Sequence, residues 1–137
     1  MIRVRHTVHI TRRERGRRII EHTARPSEYV EPGRIPRISR LMALAVHFDR
    51  PLREGIVADQ TELARLCHVT QPRMTQIMNL NHLAPDIQEE LLFLPRVTRG
   101  REPIHERMLR RIAANVGWRI QRTQWAKLRR STVVCQS

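Results

Sequence analysis

Five polar side chains, Gln71, Arg73, Thr75, Gln76 and Asn79, have the hydrogen-bonding chemistry needed to read the edges of base pairs. Gln and Asn amides bond bidentately to adenine, and the Arg guanidinium does so to guanine, along the edges presented in a major groove. Between them, Met74, Ile77 and Met78 recur at helical spacing. A helix over 70–80 therefore buries those three and turns the polar set outward. Thr70 is placed to cap it with its hydroxyl, and Pro72 fits its first turn, where a missing N–H has no intrahelical partner anyway. An ordinary solvated helix face would look as polar. The charge balance and the turn that precedes the helix separate the two readings, and both favour contact with DNA.

Little else in the chain could do chemistry. Tyr29, the sole tyrosine, sits in a Pro-rich stretch, and Ser27, Ser39, Ser131 and Ser137 lie in no nucleophile motif. No clustered pair of carboxylates offers to hold magnesium. His6 and His9 would fall on opposite faces of a strand, so they make no metal pair. Cys67 reads as a small buried hydrophobe of the first short helix, and Cys135 lies near the end of a basic tail. No catalytic residue, metal or cofactor is expected.

The 137 residues include 26 Lys+Arg against 13 Asp+Glu, a net charge of +13, with Lys127 the sole lysine. Such a balance fits a polyanionic partner. The charge is divided unevenly. Residues 1–35 carry nine arginines and four acids, 36–95 six arginines and seven acids, and 96–137 eleven basic residues and two acids. A near-neutral centre lies between two basic flanks, so folding and phosphate binding are assigned to different stretches. Arg12, Arg13, Arg15, Arg17, Arg18, Arg37, Arg40, Arg99 and Arg101, with Thr70, are the expected contacts to a phosphate backbone, which takes half or more of protein–DNA hydrogen bonds. Five aromatic residues are too few for a base-stacking platform. Nothing approaches a membrane span or an apolar signal-peptide core, and the chain is expected in the cytoplasm, associated with the nucleoid.

The elements that must position these residues follow from periodicity. Ile2, Val4, His6, Val8 and Ile10 alternate with polar residues, predicting a strand. Arg13–Gly16 could turn it, with a return over 17–23. Such an arm either enters a minor groove, packs on the domain or pairs between subunits. Pro26, Pro32, Gly33 and Pro36 mark a linker. Leu41, Leu44, Ala45 and Phe48 then form a helical stripe with Ser39 as candidate cap, ended or kinked by Pro51. Short helices are predicted over 60–67, with Asp59 as N-cap, and from Pro85 through Leu92. A helix opened by Glu102 and Pro103 carries Ile104, Met108, Ile112 and Val116 at intervals of four. Trp118, Trp125 and Leu128 share one side of a last helix, where the two tryptophans either cover the core or form a dimerisation surface. The predicted fold is mainly α: a basic arm or β-hairpin over 1–35, a helical domain over 36–95 and basic helices over 96–137.

The segment QTELARLCHVTQPRMTQIMN (60–79) has a helix-turn-helix pattern, with Ala64 at the fifth place, His68 at the ninth, Met74 at the fifteenth and Ile77 at the eighteenth. A small residue at Ala64 lets two short helices cross closely. With its continuation, Leu83-Ala84-Pro85-Asp86-Ile87-Gln88, the stretch 56–95 resembles the helix-turn-helix domain of ParB/KorB-type partition proteins. That resemblance implies an all-helical DNA-binding module with 70–79 in the groove. Two positions depart from the family pattern. His68 replaces the turn glycine, where a left-handed backbone is usual, and Asn81 replaces a leucine. The nucleotide-binding domain of partition proteins has no counterpart in residues 1–35, so partitioning itself is not carried over. The expectation is a sequence-specific duplex-DNA-binding protein of a phage, plasmid or other mobile element, acting in transcription regulation or as an accessory factor in DNA recombination, and working as a homodimer. RNA or non-specific nucleic-acid binding is one alternative. A helical adaptor docking on a recombinase or replication protein is another.

Overall fold

The computed structural model describes residues 8–12, 18–22 and 32–134. In the first 31 residues, strands β1 (Val8–Arg12) and β2 (Arg18–His22) pair antiparallel, with Val8 opposite His22 and Arg12 opposite Arg18. The two strands fall within the stretches expected to form a hairpin; the turn between them and the alternating residues 2–7 lie outside the described residues.

From Pro32 onward the chain forms a second compact unit, mainly helical as predicted, with six α-helices among the described residues. They are α1 (Arg37–Arg53), α2 (Gln60–Leu66), α3 (Gln71–Met78), α4 (Pro85–Leu92), α5 (Glu106–Ala113) and α6 (Trp118–Val134), with a 3-10 turn at Asn79–His82. Helix α1 packs against α3, α4 and the 3-10 turn, and α5 packs on that turn and on α6. Met42, Ala45, Met74, Ile87, Leu91 and Leu109 meet in one core that also takes Trp125. The expected boundary after residue 95 thus separates no unit: the basic C-terminal helices complete the core of the helices before them.

Several element ends differ from expectation for identifiable reasons. Helix α1 starts at Arg37, not at Ser39, because Pro36 is already extended (φ −54°, ψ 140°) and the Glu102 carboxylate accepts from the Arg37 N–H at 3.0 Å. An acid from the far side of the chain thus satisfies a first-turn donor and meets the positive end of the helix dipole. Ser39 lies inside the helix, 3% exposed, with its hydroxyl unpartnered. Pro51 falls in the last turn, and the helix runs two residues past it before the Pro51 carbonyl accepts from Ile56 and Val57.

Helix α5 is shorter than its apolar stripe suggested. Residues spaced by four advance about 40° per step at 3.6 residues per turn, so Ile104, Met108, Ile112 and Val116 cannot share one face. Leu109 and Ile112 form the buried edge, Ile104 is buried ahead of the helix, and Val116 stands 97% exposed beyond it. On α6, Trp125 is buried and donates Nε1 to Glu90, while Trp118 is half exposed with the Arg122 guanidinium 6.0 Å from its ring. The tryptophans neither cover the core together nor form an exposed pair. Arg122 also fixes α6 to α4 through both oxygens of Asp86 (3.1 and 3.0 Å), and this hydrogen bonding holds the Asp86 carboxyl below its ordinary pKa.

Residues 32–36 do not behave as a free linker. Arg34 and Val97 exchange both backbone hydrogen bonds (3.0 and 2.9 Å), the Arg34 side chain donates to the Gly100 carbonyl, and Arg96 donates to that of Gly33. A Cβ at Gly33 would stand 3.0 Å from the Val97 carbonyl at φ +114°, so this clasp requires glycine.

Candidate nucleic-acid interface

Helix α2 starts where the sequence predicts. The Asp59 carboxylate accepts from Glu62 N–H at 2.8 Å, and Glu62 reaches back to accept from Ala58 N–H at 2.9 Å, a reciprocal arrangement close to a capping box. The helix ends at Cys67, half-buried at the C-cap rather than fully inside. His68 then takes φ +53°, and the Val69 N–H closes the turn on the Ala64 carbonyl at 2.9 Å. This is the left-handed joint that the missing glycine put in question. Ala64, 3% exposed, is the small residue at the crossing. A non-glycine residue here carries left-handed strain, so His68→Gly is expected to stabilise the protein by about 1 kcal/mol after allowing for glycine's extra chain entropy. A higher urea midpoint at unchanged m-value is the check.

Thr70 occupies the N-cap of α3 as expected, but its hydroxyl makes no capping bond; the Thr70 carbonyl accepts from Met74 N–H at 2.9 Å. Met74, Ile77 and Met78 are buried, which leaves Pro72, Thr75, Gln76 and Asn79 around the opposite direction at about 100° per residue. Gln71 and Arg73 fall on the two flanks, and each ties α3 to a neighbour. Gln71 is exposed and donates Nε2 to the Thr61 hydroxyl of α2 at 3.0 Å. On the other flank Arg73 Nη1 donates to both Glu106 oxygens of α5 (2.7 and 3.0 Å) and to Gln76 Oε1 (3.1 Å). Thr75 is exposed, its hydroxyl donating to the Gln71 carbonyl, and Asn79 is half-buried at the end of the helix. Four of the five expected base readers lie on α3 and Asn79 opens the 3-10 turn after it. Gln71 and Thr75 are exposed, Gln76 and Asn79 half-buried, and Arg73, at 30% side-chain exposure, is held by an ion pair rather than free.

Of the expected backbone contacts, Arg37, Arg40, Arg99 and Arg101 are exposed and have no acid partner among the described residues. The clasp brings the segment of Arg37 beside that of Arg99 and Arg101. Arg12 and Arg18 face each other across the hairpin in register, and Arg13, Arg15 and Arg17 lie outside the described residues.

Sequence reasoning missed a further basic set. Helix α5 buries Leu109 and Ile112 and so turns Arg107, Arg110 and Arg111 to solvent, on the element that touches α3 through Glu106. The signal was present in E-R-M-L-R-R-I, where two apolar residues three apart leave the arginines on the opposite side. Interrupting that pattern with an overlong stripe of four concealed it. Asn81, which stands where a leucine was expected, loses no anchoring. Its Nδ2 donates to the Ala45 carbonyl at 2.9 Å, and its own carbonyl accepts from Gln88 at 3.0 Å.

No helix among the described residues is long and apolar enough to cross a membrane. The chain matches no protein-family profile, no curated protein and no solved structure.

Proposed function

We propose that the chain is a sequence-specific duplex-DNA-binding protein that inserts α3 in the major groove. The observation that carries this is the left-handed joint at His68, with Ala64 at the crossing and a following helix that buries Met74, Ile77 and Met78 while leaving Gln71 and Thr75 exposed and Arg73, Gln76 and Asn79 partly so. A steep crossing of two short helices lets the second project into a groove while the first crosses the backbone. Gln71, Thr75, Gln76, Asn79 and Arg73 are the base readers. Thr70, Arg37, Arg40, Arg99 and Arg101 contact phosphates, joined by Arg107 and Arg111 of α5 and by the arginines of the N-terminal arm. The resemblance of 56–95 to ParB/KorB-type modules supports the same use of α3. Charge asymmetry adds to it, since the C-terminal segment has eleven basic residues and two acids. The role that fits is a homodimeric regulator of transcription, or an accessory factor in recombination, of a mobile element, bound at the nucleoid.

Selection of bound duplexes from a random pool tests this reading. An enriched motif is the expected result, and a palindrome indicates two copies on one site. With about six phosphates neutralised, the log–log dependence of affinity on salt should have a slope of about −5. Replacing Arg107 and Arg111 together by Ala should make that slope shallower by about two. Stronger binding to duplex RNA or single strands than to duplex DNA overturns the reading.

A further inference from the structure

The C-terminal segment holds two acids, Glu102 and Glu106, among eleven basic residues, and both reach back to earlier elements. Glu102 caps α1 and pairs with Arg34. Glu106 is 15% exposed and clamps Arg73, with Arg110 Nη2 approaching the same carboxylate at 3.6 Å. An acid beside a surface that meets phosphates opposes general attraction to a polyanion. Its placement on a base-reading arginine is therefore the opposite of what tight non-specific binding would use.

The atoms used suggest what it does instead. Nη1 of Arg73 takes all three bonds, two to Glu106 and one to Gln76. Nε and Nη2, which form the other edge of the guanidinium, have no partner among the described residues. That free edge is the two-donor fork that guanine accepts at O6 and N7. A free arginine must surrender rotamer freedom on binding, whereas one already clamped from behind surrenders less. We propose that Glu106 is a positioning residue that sets base selectivity, holding Arg73 by Nη1 so that its Nε/Nη2 edge is presented to a guanine, and suppressing non-specific phosphate contact by the same two arginines. This rests on the reading of α3 as the groove-entering helix.

Glu106→Gln keeps the side-chain length and one acceptor but removes the charge, and its melting temperature reports whether the fold survives. Base preferences at every position of the selected duplex, and affinity for random duplex, are measured for wild type and variant. The expected result is that preference for guanine falls about tenfold at one position while the others hold. Affinity for random duplex should rise severalfold, with a salt slope steeper by about two as Arg73 and Arg110 become free for phosphates. An unchanged preference at every position overturns the positioning role and leaves the groove-entering helix standing. Parallel loss on selected and random duplex, with a lowered melting temperature, shows a structural role only and overturns it too. A wild type without any base preference overturns both this proposal and the reading beneath it.

Discussion

Replacing Gln121 by leucine will cost the helical unit about 3 kcal/mol, because it strands one buried and two part-buried backbone groups at three separate points of the chain. Gln121 is 1% exposed. Its Oε1 accepts the Ala84 N–H at 2.8 Å, and its Nε2 donates to the His82 carbonyl at 3.1 Å and the Asn115 carbonyl at 2.6 Å. Ala84 is the N-cap of α4, His82 ends the 3-10 turn and Asn115 lies between α5 and α6. One amide on α6 therefore fixes both the end of the 3-10 turn that follows α3 and the start of α4. Leucine matches the volume but neither donates nor accepts. For a domain of roughly 100 residues such a loss lowers the melting temperature by roughly 10–20 °C. Thermal melts of wild type, Gln121→Leu and Gln121→Glu should show both variants destabilised, since a carboxylate keeps the acceptor for Ala84 and removes the donors for the two carbonyls. A Gln121→Leu protein that melts with wild type would show that water satisfies these groups.

Arg73→Ala is expected to weaken binding to the selected duplex by about 1–3 kcal/mol, roughly five- to 150-fold, with little change on random duplex. The asymmetry follows from the ion pair. In the free protein Arg73 is neutralised by Glu106 at 2.7 Å, so it adds little to the diffuse attraction that random sequence feels. Once Arg73 is gone, Arg110 remains beside the Glu106 carboxylate at 3.6 Å and keeps it paired. Fluorescence anisotropy with both duplexes at fixed salt measures the two constants. Equal weakening on both would make Arg73 a phosphate contact instead.

The parts of the fold that were legible in the sequence are those whose causes are local. Asp59 caps a helix three residues from the N–H it accepts. Pro72 and Pro85 open helices because of their own φ, and Ala64, His68 and Met74 fix a turn within a dozen residues. Helix α3 and its outward arc follow from those signals. What escaped depends on partners far along the chain. Glu102 starts α1 from 65 residues away, Glu106 binds Arg73 across 33, and Gln121 satisfies Ala84 across 37. Periodicity shows that a face is buried without naming what buries it, so a polar residue such as Gln121 or Asn81 looks out of place until its carbonyl and N–H partners are known. The same blindness divided the chain after residue 95, since a change in charge marks a change of surface and not the limit of a core. The overlong stripe through Ile104 and Val116 failed on geometry that is already in the sequence, because strict fours drift around a helix.

The distance along the chain between Arg73 and its clamp also has a temporal meaning. At 5–20 residues per second, a ribosome needs about 2–7 s to add the 33 positions that separate them. For that interval the nascent polypeptide carries α3 with Arg73 unclamped beside ribosomal RNA, itself a dense polyanion. The carboxylate that restrains the arginine follows it by 33 positions, so Arg73 emerges ahead of its clamp and is held only once α5 has been made.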